Sequence, residues 1–134
     1  MRDLGAVSGD SATRQGEVRP VRFELTERQI EDVVILCPKG SINSATVPLF
    51  RELLYHVIRE EGCKVIMSCS EVDSIDSMGL GVMIAAHKNS DKYGGMIVYS
   101  DMNDMITKNM KMLTMDRYLN LTPDLDSALM KFDW

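Results

Sequence analysis

Ser77 stands in the stretch Ser74-Ile75-Asp76-Ser77-Met78-Gly79-Leu80-Gly81-Val82, which follows an apolar strand candidate, Val65-Ile66-Met67, and opens an apolar helix. A hydroxyl at such a strand-to-helix turn lies over the first unpaired N–H groups of the helix, where negative charge is favoured. That placement makes Ser77 a candidate phosphate carrier, with Asp76 as its acidic neighbour. Gly79 and Gly81 strip side chains from the first turn and leave room for another backbone or a nucleotide-bearing partner to approach. The same residues also admit a purely structural role: Asp76 or Ser77 as an N-cap, and the glycines for tight packing of helix on sheet.

Other chemistry is poorly served. Cys37, Cys63 and Cys69 are odd in number and lack metal-finger spacing, and two lie beside apolar strand candidates, so they read as buried free thiols. A thiol nucleophile would need His56 or His87, both in helix-like segments with no motif around them. The Ser77 stretch is not a Gly-x-Ser-x-Gly elbow, and no His is placed in sequence to activate the hydroxyl. Gly-x-x-x-x-Gly-Lys and clustered metal ligands are also missing, so no cofactor is expected.

With 15 Lys and Arg against 20 Asp and Glu, the net charge of −5 argues against a nucleic-acid groove or an anionic membrane surface. A chain of 134 residues, 45% apolar and 26% charged, has the size and composition of one globular domain. The N-terminus shows no signal peptide, and no apolar run approaches the roughly 20 residues that cross a bilayer. A cytoplasmic protein without direct membrane insertion is expected.

The elements that position Ser77 follow from periodicity. Residues 1–20 mix Gly, Ser, Asp, Arg and Pro without pattern and predict a flexible tail, leaving a domain over 21–134. Val21, Phe23 and Leu25 alternate as in a strand, Thr26-Glu27-Arg28-Gln29 supply a turn, and Val33-Val34-Ile35-Leu36 form a second strand, so close that the pair should be antiparallel. Phe50, Leu53, Leu54, Val57 and Ile58 keep one helical face; Pro48 falls in the first turn and Gly62 ends the helix. Then come a buried strand over 64–69, the Ser77 helix to about Tyr93 with Gly94-Gly95 at its end, and a strand over 96–99. Asp101 or Asn103 can cap a third helix through Leu113, before a short strand over 118–121 and a last helix over 125–132. After the initial hairpin, strands and helices alternate, which predicts an α/β fold with a mixed sheet and right-handed crossovers.

In this setting Ile75-Asp76-Ser77-Met78-Gly79-Leu80-Gly81 resembles the signature of the STAS family, which includes anti-sigma factor antagonists and sulphate-transporter domains. That signature reads apolar-Asp-Ser-Ser/Thr-Gly-apolar-Gly. Gly40-Ser41-Ile42-Asn43-Ser44-Ala45 is similar to the family's loop before the first helix, and Asp124-Leu125-Asp126-Ser127-Ala128-Leu129 to its final helix, so the resemblance spans about residues 21–132. It implies a STAS-like mixed β-sheet with an N-terminal hairpin. It also implies that Ser77 is phosphorylated by a partner that is both serine kinase and anti-sigma factor, that the unmodified protein binds this partner, and that a serine phosphatase restores binding. Asn43, Ser44, Asp76, Met78, Gly79, Leu80 and Gly81 would then form the partner-binding surface.

Two positions depart from the pattern: Met78 replaces a second hydroxyl, and Asn43 replaces an Asp found in many antagonists. They keep open a second reading, a non-switching STAS scaffold subunit of a stress-signalling or transporter-associated complex. Phosphate on Ser77 would add about −1.5 to −2 charge beside Asp76 and near Asp73, so release of a partner without unfolding is the expected response.

Early in the Ser77 helix, Met78, Leu80, Val82, Met83, Ile84, Ala85 and Ala86 leave no polar stripe, so the helix is either covered on several sides or offers a partner surface. Met110 with Ile106 and Leu113 has core spacing; Met105 and Met112 fall on a neighbouring face and could form a contact patch.

Overall fold

The computed structural model describes residues 2–8 and 23–132. Strands β1 (Arg2–Ser8), β2 (Phe23–Ile30) and β3 (Val33–Ile42) are followed by α1 (Val47–Ile58), β4 (Lys64–Ser68), β5 (Glu71–Ile75), α2 (Ser77–Lys92) and β6 (Met96–Ser100). The chain continues through α3 (Asp104–Met112), a 3-10 turn at Met115–Arg117, β7 (Leu121–Thr122) and α4 (Leu125–Met130). The seven strands form one mixed sheet in the order β1-β2-β3-β4-β6-β7, with β5 also paired to β3. β1, β2 and β3 are antiparallel, and the remaining pairs are parallel. The expected α/β fold with a mixed sheet is what the chain forms.

Strand alternation assigns the sheet's two faces. Leu36, Val65, Met67, Ile97 and Tyr99 point into a core shared with Phe50, Leu54 and Ile58 of α1, Val82, Met83 and Ala86 of α2, and Ile106 and Met110 of α3. Their neighbours Val33, Ile35, Ile66 and Val98 point the other way, onto Ala128 of α4 and Phe132. Each large apolar side chain so enclosed contributes about 1.5–3 kcal/mol. Tyr99 carries its polar end into the first core without an orphaned group, because its hydroxyl donates to the Met83 carbonyl at 2.9 Å. That bond ties β6 to the middle of α2.

Several local expectations are corrected. Arg2–Ser8, assigned to a flexible tail, forms β1, whose backbone pairs antiparallel with β2 from Arg2 opposite Gln29 to Ser8 opposite Glu24. An unpaired β2 edge offers a row of backbone donors and acceptors, and β1 satisfies them. The rest of the expected tail and Val21 lie outside the described residues. Thr26–Gln29 are not a turn but continue β2, each half-buried, with the turn falling at Glu31 and Asp32, where Glu31 takes a left-handed φ of 54°. Polar residues suit this part of β2 because neither face is fully covered. The short strand expected over 118–121 reduces to Leu121–Thr122, preceded by the 3-10 turn. β5 has no counterpart in the sequence reading. Leu113 is 55% exposed just past the end of α3 rather than in the core with Ile106 and Met110.

Candidate functional site

Asp76 fixes the start of α2. Its backbone is extended, its N–H donates to the Ile42 carbonyl at 3.0 Å, and its Oδ1 accepts from the N–H groups of Met78 and Gly79, both at 3.0 Å. Two of the helix's unpaired donors are thereby satisfied within the chain. Of the two candidate caps, Asp76 is the one used, and Ser77 becomes the first helical residue with an exposed side chain.

The bond from Asp76 to Ile42 also sets the loop that opens α1 against the loop that opens α2. In that first loop Asn43 Oδ1 accepts from the N–H groups of Ala45 at 2.9 Å and Thr46 at 3.3 Å. The buried Thr46 hydroxyl accepts from the Asn43 N–H at 2.9 Å and donates to the Ser41 carbonyl at 2.7 Å. An Asp at position 43 could accept the same bonds, so the turn geometry is indifferent to the Asn-for-Asp exchange and only the charge differs. Ser44 is exposed beside it. The Ser74 hydroxyl lies 3.1 Å from that of Ser41, joining β5 to the end of β3.

The two glycines have separate roles. Gly79 is buried, and the space a Cβ would need is taken by Ile42, so this residue serves packing of α2 on the sheet rather than approach of a partner. Gly81 is exposed, and a Cβ there would meet nothing within 4 Å. Met78 is half-exposed at 50% and Leu80 is partly covered, whereas Val82, Met83 and Ala86 are buried. The helix that lacks a polar stripe is thus enclosed on its core side and presents Ser77, Met78 and Gly81 to solvent at its start.

α3 joins this site through contacts that no local sequence pattern marks. Asn103 caps α3 with Oδ1, accepting from the Ile106 N–H at 2.8 Å, while its Nδ2 donates to the carbonyls of Val72 at 3.3 Å and Asp73 at 3.1 Å. This one side chain pins the start of α3 to β5. Between α3 and the first turn of α2 runs a groove of about 240 Å³, whose lining includes Ser77, Leu80, Ile106, Met110 and Leu113. Met105 and Met112 are exposed, as the spacing predicts.

The histidines and cysteines are not brought together. His56 is exposed on α1, and the His87 ring packs on Tyr118 with centroids 5.0 Å apart. All three thiols are free, and burial pushes the pKa of each one up, which disfavours the thiolate a nucleophile needs. No group of three or more His, Cys, Asp or Glu side chains among the described residues could hold a metal ion. No described helix is long and apolar enough to cross a membrane.

Comparison with known proteins identifies the family and the fold. The sequence profile of the STAS domain matches residues 24–128. A Thermotoga neapolitana protein, named as a homologue of a candidate anti-sigma factor antagonist, is 29% identical over 101 residues, covering 75% of this chain and 89% of its own. The crystal structure of the candidate anti-sigma factor antagonist from Thermotoga maritima superposes with a TM-score of 0.71 at 24% identity, over 78% of this chain and 91% of the other. The anti-sigma factor antagonist SpoIIAA in its unphosphorylated form superposes with a TM-score of 0.59 at 11% identity, over 80% and 94% of the two chains.

Proposed function

The chain belongs to the STAS domain family, and from that premise we propose that it is an anti-sigma factor antagonist whose binding is set by phosphorylation of Ser77. The observation that carries this reading is the exposure of Ser77 at the first position of a helix whose cap is already supplied by Asp76. Ser77 is spared a structural duty, so its hydroxyl is available for modification. In this reading the docking surface is made by Met78 and Gly81, exposed on the same helix start, and by Asn43 and Ser44 in the loop that the Asp76–Ile42 bond joins to it.

The partner is an anti-sigma factor that doubles as a serine kinase, and a serine phosphatase reverses the modification. The exchange takes place in the cytoplasm, where sigma factors work. Adding about −1.5 to −2 charge beside the exposed carboxylates of Asp73 and Asp76 makes a close interface unfavourable. Like charges brought together in an interface cost several kcal/mol, and about 1.4 kcal/mol is tenfold in affinity.

The test is phosphopeptide mapping of the protein recovered from its native cells under several growth conditions. Condition-dependent phosphate at Ser77 is expected. With the kinase in hand, Ser77→Asp should weaken binding at least about tenfold and Ser77→Ala should retain it. An unmodified Ser77 under all conditions, or equal binding by the two variants, would favour the non-switching scaffold.

A further inference from the structure

The STAS match begins at Glu24, inside β2, so β1 lies outside it and covers the edge at which the matched part of the sheet ends. The pairing of β1 with that edge is irregular. Between Asp3, opposite Arg28, and Ala6, opposite Thr26, the two residues Leu4 and Gly5 face Glu27 alone. Such a bulge interrupts the ladder. Residues 9–22 join Ser8 to Phe23, whereas antiparallel neighbours need only about two to five connecting residues. A link of that length reaches up to about 50 Å, so it does not oblige β1 to stay on the edge.

Arg28 shows what kind of segment the edge takes. Its Nε is buried and has no hydrogen-bond acceptor among the described residues. A buried donor left unmatched costs free energy that a better-fitted neighbour recovers. The bulge begins directly after Asp3, the residue opposite Arg28, which is where that match fails. We propose that β1 is an exchangeable strand and that the edge of β2 is a docking site for an extended segment of a protein partner. That segment pairs antiparallel with β2 and carries a carboxylate opposite Arg28, and residues 2–8 are its resident competitor.

The site lies within reach of the Ser77 surface. Phe23, at the start of β2, pairs with Gly40, and two residues later the Ile42 carbonyl accepts the Asp76 N–H. A partner seated around Ser77 therefore has a path along β2. Strand exchange requires neither a kinase nor phosphate, so it stands or falls separately from the function proposed above. The chain's own strand competes at an effective concentration of about 1 mM, so a free segment with no further contacts binds weakly.

Two measurements on the full chain test this. In native-state hydrogen exchange, the amides of residues 2–8 should exchange at least about 100-fold faster than those of β4 and β6, through opening of β1 alone. The second measurement adds a synthetic peptide with the sequence of residues 2–8 to the isotope-labelled protein. At about 1–5 mM it should shift the β2 amides and move the signals of residues 2–8 towards unpaired positions. Asp3→Lys in the peptide should weaken its binding about fivefold, because like charges then stand opposite each other. A preference for the acidic peptide runs against the net charge of −5, and Arg28→Gln in the protein should abolish it. Protection of residues 2–8 equal to that of β4 and β6 overturns the proposal. So does a β2 unchanged at about 5 mM peptide, equal binding by the Asp3→Lys peptide, or a preference that survives Arg28→Gln.

Discussion

A Cβ placed on Gly79 would lie 2.5 Å from Ile42 Cγ2 and 3.0 Å from Ile75 Cγ2, whereas one placed on Gly81 would meet nothing within 4 Å. The two glycines of the motif look alike in sequence, yet one closes α2 onto the sheet and the other opens it to solvent. Gly79→Ala should therefore destabilise the protein by about 1–3 kcal/mol, since Ile42 or the helix must move. Gly81→Ala should stabilise it by about 0.5–1 kcal/mol through helix propensity alone. Urea unfolding of both variants measures the difference, and equal effects would mean that α2 does not pack as closely as described. Asp76 shows the same division of labour within the motif. Its carboxylate spends Oδ1 on two backbone N–H groups, which leaves the neighbouring hydroxyl as the group that can change state.

At the scale of elements, α3 depends on one side chain for its place. Asn103→Ala would remove the cap on α3 and both bonds to β5, and would leave the carbonyls of Val72 and Asp73 without that donor. The expected loss is about 1–3 kcal/mol in urea unfolding, with faster amide hydrogen exchange confined to α3 and β5. Exchange that rises evenly over the whole sheet would show that the pin is not local. Such ties explain what could be read from the sequence. Helices α1 and α2 and strands β3, β4 and β6 were legible because apolar spacing and turn residues mark them within a few positions. β5 was not, because Glu71-Val72-Asp73-Ser74-Ile75 is short and half polar, and only its pairing with the end of β3 makes it a strand. β1 was hidden for the same reason, its partner being the far edge of β2. At the site, turn chemistry revealed Asp76 and Ser77, but the α3 wall of the groove comes from residues about thirty positions later, beyond the reach of any local pattern.

For the whole molecule, the location of Ser77 decides what kind of switch it can be. The residue is exposed at one end of α2, while the side chains that hold the fold lie in the two cores on either side of the sheet. Negative charge at a helix start gains about 0.3–1 kcal/mol from the dipole, and its repulsion from exposed neighbours such as Asp73 and Asp76 in water is of similar size and opposite sign. The two nearly cancel within the monomer. In an interface the balance changes, because the charge must also give up water and the apolar lining beside it offers no replacement. Ser77→Asp should thus leave the unfolding free energy within about 0.5 kcal/mol of the unmodified protein, as for other exposed substitutions. The same variant should still weaken association with the anti-sigma partner at least about tenfold. Measuring both on one preparation separates a binding switch from a folding switch. A loss of stability of several kcal/mol would show that modification acts by loosening α2 from the sheet, with release of the partner a consequence of unfolding at the site.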